Sequence, residues 1–88
     1  MRNEVTDPLD RAAMRRIVDR EGVESRSYNL DGAHDPETYV LTVRAGGWAT
    51  LYSERGYEVG RREFDTEDEA CTHLLDLILR DPTTRKRQ

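Results

Sequence analysis

Between Thr38 and Arg44 the chain alternates two sets of residues, Tyr39/Leu41/Val43 against Val40/Thr42/Arg44, and most are β-branched or aromatic. A period of two with those residue types predicts a strand. Trp48 to Ser53 repeats the pattern, with Trp48/Thr50/Tyr52 in one phase and Ala49/Leu51/Ser53 in the other. Gly46-Gly47 between them predicts a tight hairpin turn, because both residues accept positive φ. Glu54-Arg55-Gly56 predicts a second turn. Tyr57 to Phe64 is then the last strand, with Gly60 as a candidate bulge. Upstream, Tyr28 and Leu30 share a phase in a weaker extended segment over residues 23–30. Residues 31–36 read as loop by composition.

The period changes to that of a helix at both ends. Leu9, Ala13 and Ile17 form one stripe, with Ala12, Met14 and Val18 beside it, and predict a helix over residues 8–20. Asp7 is its expected N-cap, Pro8 its first residue and Gly22 its stop. Ala70, Leu74, Leu77 and Ile78 line a second helix over 67–80, with Cys71 and Leu75 adjoining. Thr66 and Glu69 have the spacing of a capping box at its start. Asp81-Pro82 ends it. Together these elements predict an α+β fold in the order α-β-β-β-β-α: a small antiparallel sheet of three or four strands flanked by an N-terminal and a C-terminal helix. The two helices are expected to cover one sheet face and leave the other at least partly free for binding. One domain is expected over residues 1–82, beginning with a frayed leader at 1–6. A basic, disordered tail is expected at 83–88.

Composition narrows the function classes. The chain has 88 residues, 35% hydrophobic and 36% charged, so its core is modest. A single cysteine excludes an internal disulfide and suits a reducing cytoplasm. No apolar run approaches the ~20 residues of a membrane span, and the N-terminal residues do not read as a signal peptide. The net charge is −4 and unevenly spread. Residues 65–81 carry one basic and six acidic side chains, whereas residues 38–64 carry four and three. A nucleic-acid-binding domain usually presents a basic face, so nucleic acid is not the expected partner.

Candidate chemistry is sparse. His34 and His73 have no second histidine or cysteine at metal-ligand spacing, so no metal, cofactor or catalytic set is assigned. Cys71 falls beside the apolar stripe, as a buried thiol would. The carboxylates Asp65, Glu67, Asp68 and Glu69 suit a helix N-terminus through the macrodipole, yet four in five positions exceed what capping needs. Tyr39, Trp48, Tyr52 and Tyr57 are interleaved with Arg44, Arg55, Arg61 and Arg62, residue types enriched in binding hot spots. The candidate partner-binding residues are therefore Trp48, Tyr52, Arg55, Tyr57 and Arg61 on the sheet, with Glu67 and Asp68 on the acidic helix.

These motifs carry two resemblances. Trp48, Tyr52-Ser53-Glu54-Arg55-Gly56, Arg62 through Cys71, Leu74-Leu75 and Leu79-Arg80-Asp81-Pro82 resemble a pattern in small bacterial immunity-type proteins, over residues 39–83. Those proteins are encoded beside polymorphic toxins, including necrotizing-type NAD glycohydrolases, and block the toxin's catalytic domain by binding it. The resemblance implies a cytoplasmic, non-enzymatic inhibitor whose partner is a cognate toxin. Phe64-Asp65-Thr66 and Glu69-Ala70 are similar to the strand–helix seam of plant ethylene-response-type DNA-binding domains and integrase arm domains. That similarity implies the alternative, a nucleic-acid-binding sheet. The glycine and arginine pattern of those domains is not reproduced in the preceding strands.

Overall fold

A computed structural model describes residues 8–86. The order is α1 (Arg11–Arg20), β1 (Tyr28–Asn29), β2 (Thr38–Arg44), β3 (Gly47–Glu54), β4 (Tyr57–Phe64) and α2 (Glu67–Arg80). Short 3-10 turns lie at Ser25–Ser27 and Pro82–Thr84. The four strands form one sheet in the order β1-β2-β3-β4, which is the expected α+β architecture. β2, β3 and β4 form an antiparallel meander, whereas the two-residue β1 runs parallel to β2.

Helix α1 starts later than its apolar stripe suggests. Asp10 is the N-cap and its carboxylate accepts the Ala13 N–H at 2.8 Å. The expected cap, Asp7, lies outside the described residues, as does the leader 1–6, and Pro8 precedes the helix. Two features favour Asp10. Leu9 before the cap and Met14 four residues after it join the same core, as in a hydrophobic staple. Acidic side chains of α2 also seize this segment: Asp68 accepts from Leu9 N–H at 2.6 Å, and Glu67 from Arg11 N–H at 3.0 Å. The helix ends in a Schellman motif. Val23 N–H donates to Val18 O and Gly22 N–H to Asp19 O, with Gly22 at φ 77°. Val18 and Val23 make the accompanying apolar contact within the core.

Helix α2 keeps its expected bounds. Thr66 Oγ1 accepts the Glu69 N–H at 3.2 Å. The reciprocal half of the capping box differs from expectation, because Glu69 accepts the Thr66 hydroxyl instead of the backbone N–H. Thr66→Ala should therefore lower stability by about 1 kcal/mol, the usual worth of such a cap. Urea unfolding checks this, and an unchanged midpoint would show that the cap contributes nothing.

Two turns differ in detail. The β2–β3 hairpin turns on Ala45-Gly46, with Arg44 paired to Gly47 and Gly46 at φ 80°. Gly47 is instead the first residue of β3, where a Cβ would lie 2.7 Å from the Phe64 carbonyl oxygen. The β3–β4 hairpin places Arg55 at φ 50° and Gly56 at φ 84° between paired Glu54 and Tyr57, as a type I′ turn requires. Gly60 does mark a bulge: between the pairs Thr50–Arg62 and Tyr52–Val59, β4 has one residue more than β3.

Register decides the faces. Tyr39 pairs with Tyr52, Leu41 with Thr50 and Val43 with Trp48, so both phases named first lie on the helix-bearing face. Met14, Val18, Leu41, Ala70, Cys71, Leu74 and Ile78 form the core there. The other face is less free than expected. Val40, Ala49 and Leu51 are fully buried on it. The β1–β2 connection folds back across that face, bringing Gly32 against Thr42. His34 Nε2 lies 2.8 Å from Glu58, which also pairs with Arg44 and Arg61 at 3.3 and 3.2 Å.

The expected tail is ordered through residue 86. Val23 bridges to Arg85, Glu24 N–H donates to Thr84 O, and Lys86 N–H to Gly22 O. The Thr84 hydroxyl is buried against Ile78 O and Asp81 O. Local composition suggested disorder, but the residues after α1 supply the backbone partners that a basic hexapeptide lacks alone. Residues 87–88 lie outside the described part.

Candidate functional site

The strand register builds a row of aromatic residues that no single strand announces. Tyr28 pairs with Tyr39, Tyr39 with Tyr52, and Tyr52 with Val59, so the row crosses all four strands on one face. Tyr57 extends it along β4, since residues two apart on a strand share a face. Tyr57 is 74% exposed and Val59 47%. The Tyr39 and Tyr52 rings meet edge to face at 4.8 Å, a geometry that adds to their burial energy.

Beside the row lies a groove of about 830 Å³. Tyr28, Tyr39 and Tyr52 wall it, and Asp35, Glu37 and Asp81 supply carboxylates. Asp81 is held from two sides. It accepts the Tyr39 hydroxyl at 2.9 Å and the Thr83 hydroxyl and N–H at 2.6 and 3.0 Å. The Thr83 bonds, with that from Tyr39, keep its carboxyl below the ordinary carboxylate range. Burial, followed by the Asp81 bond and its charge, pushes the Tyr39 phenol up to about 12. Tyr52 is raised too, by burial and then by the charges of Glu37, Glu54 and Asp81. The groove is thus aromatic in its wall and anionic in its field.

The sign of the Tyr39 shift fixes its consequence. A phenol whose pKa is raised on folding favours the folded state while it stays protonated. Its contribution is complete below the unfolded value near 10 and is lost as pH climbs through about 12. Absorbance titration near 295 nm should show a tyrosine step as pH climbs through about 12. Tyr39→Phe should remove that late step, and its persistence in the variant would contradict the assignment.

The candidate residues do not form one surface. Tyr52, Arg55 and Tyr57 share the aromatic end of the β3–β4 hairpin. Trp48 lies at the other end of β3, half-buried beneath the Arg11 guanidinium at 5.4 Å. Arg61 reaches the opposite face, where it pairs with Glu58 and Glu63. Glu67 and Asp68 hold the start of α1, with Glu67 also paired to Arg11 at 3.5 Å.

Sequence reasoning missed Glu37, Asp81 and Val59 as site residues. Tyr28 stands in the weak extended segment and Tyr39 among the interleaved aromatics, and neither is among the candidate partner-binding residues. The alternation of β2 did place Tyr39 toward the helices, but the partnership with Tyr28 depends on a parallel pairing without a local signal. Asp81 was legible as a helix stop, while the reach of its side chain to Tyr39 was not.

Other chemistry is muted. Burial pushes the Cys71 thiol up to about 11, with Glu67 and Asp10 adding to the effect, so it is protonated at neutral pH. Burial lowers the His73 pKa, helped by Arg62, and its ring leans on Phe64 at 5.3 Å. His34 Nδ1 lies 3.1 Å from Gly32 O, so both ring nitrogens serve the loop that crosses the second face. Among the described residues no three histidine, cysteine or acidic groups converge as a metal site. No helix among them is long and apolar enough to cross a membrane. Comparison with known proteins found no matching family model, no similar curated protein and no similar solved structure.

Proposed function

We propose that this chain is an immunity-type binding protein, which docks on a cognate bacterial toxin domain in the cytoplasm and occludes it without chemistry of its own. The supporting observation is the row Tyr28, Tyr39, Tyr52 and Val59, continued by exposed Tyr57. Tyrosines fixed on a sheet offer a large contact area while losing little further freedom on binding. The carboxylates beside them favour a basic partner surface and faster encounter. A toxin domain as that partner follows from the resemblance carried by residues 39–83.

The alternative, a nucleic-acid-binding sheet, needs strand arginines free to meet phosphates. Arg44 and Arg61 are instead engaged by Glu58, and Arg62 lies over Phe64 at 5.9 Å. The protein should therefore show no tight binding to duplex DNA at physiological salt, where phosphate neutralisation dominates affinity. Sub-micromolar binding with a steep salt dependence would replace the proposal with the alternative. The proposal itself is tested by capturing partners on the purified chain and assaying them for toxicity. A captured protein that arrests growth, and is neutralised by equimolar chain, is the expected result. Absence of any neutralised partner would overturn it.

A further inference from the structure

We propose that the groove beside Tyr39 and Tyr52 is the receptor for an arginine side chain of the docked partner, an inference that rests on the aromatic row being the interface. Shape and charge support it together. At about 830 Å³ the groove falls within the ~300–1,000 Å³ of pockets that enclose small ligands. Its tyrosine wall offers the ring faces on which a guanidinium stacks. Three carboxylates, Asp35, Glu37 and Asp81, line it. The basic side chain on its rim, Arg26, is already paired with Glu24 at 3.2 Å.

The carboxylates differ in their freedom. Asp81 is held by Tyr39 and Thr83, so it is a fixed negative charge that needs no rearrangement to receive a cation. Glu37 stands at the mouth, at the entry to β2, with φ 54°. That left-handed conformation is uncommon for glutamate, and asparagine or glycine adopts it more readily. From that backbone position Glu37 lines the groove together with Asp35 and Asp81. Arginine suits the site better than a compact ammonium, because one planar group can both stack on Tyr52 and donate N–H groups to two carboxylates.

The test uses N-acetyl-argininamide as the probe and uncharged N-acetyl-citrullinamide as its shape control, titrated into 15N-labelled protein. Saturable shifts are expected at Glu37, Tyr39, Tyr52 and Asp81 with the arginine probe, and affinity at least ~10-fold weaker with citrulline. Glu37→Asn removes charge at a backbone position that asparagine favours, so it should fold at least as well as wild type. Combined with Tyr52→Ala it should abolish saturation. Equal binding of citrulline, absence of saturable shifts, or unchanged titration of the double variant would overturn the site. The two proposals fail separately. Arginine binding in the groove without any neutralised toxin removes the immunity reading alone. A toxin that binds wild type and the folded double variant equally removes the arginine site alone.

Discussion

Leu74→Ala is expected to lower the unfolding free energy by about 3 kcal/mol, within the ~2–5 kcal/mol seen for such truncations. Leu74 is fully buried at the centre of α2 and belongs to the cluster that includes Leu41 and Ile78. The truncation loses both the transfer energy of the side chain and the contacts around the cavity it leaves. In a domain of this size the whole stability is of order 5–15 kcal/mol, so the variant is expected to sit near the edge of folding. The neighbouring Leu75, only half-buried, should lose distinctly less on the same substitution. Urea unfolding with an unchanged slope distinguishes lost stability from an altered denatured state. A loss below about 1 kcal/mol at Leu74 would contradict its place at the centre of the core.

Tyr52→Ala is expected to weaken binding to the proposed toxin partner at least ~30-fold, the ~2 kcal/mol typical of an interface hot spot. Tyr52 joins the groove to the exposed strip of Val59 and Tyr57, so its loss should affect both. Arg61→Gln supplies the contrast. Its partners, Glu58 and Glu63, lie on the opposite face, so binding should remain within a few-fold of wild type. Glu67 and Asp68 make a different control. Their alanine variants should loosen the start of α1 and lower stability, because they receive the N–H groups of Arg11 and Leu9. A binding loss at Arg61 equal to that at Tyr52 would put the interface on the wrong face.

The elements of this fold were legible wherever the period of the pattern was strong. β2, β3, β4 and α2 follow from alternation, turn residues and a cap. Signals spread over distant residues were not legible. The start of α1 at Asp10 depends on carboxylates far along the chain in α2. The order of residues 83–86 depends on backbone groups supplied by residues 22–24. The second phase of β2 mixes Val40 with Thr42 and Arg44, so its alternation could not reveal that the β1–β2 connection would bury Val40 on that face. The candidate site shows the same division. Tyr52, Arg55 and Tyr57 were legible by residue type and hairpin position. Trp48 and Arg61 share those types but are placed elsewhere by register and by the bulge at Gly60. Excess acidity at the start of α2 suggested a partner, whereas two of its four carboxylates bind the chain's own backbone.

The most direct test is growth of the native host after deletion of this chain's gene, with complementation by wild type or by the folded Glu37→Asn/Tyr52→Ala variant. The account predicts that the deleted strain arrests when its toxin is expressed, that wild type restores growth, and that the variant does not. Equal growth of the deleted strain with and without the chain would contradict it.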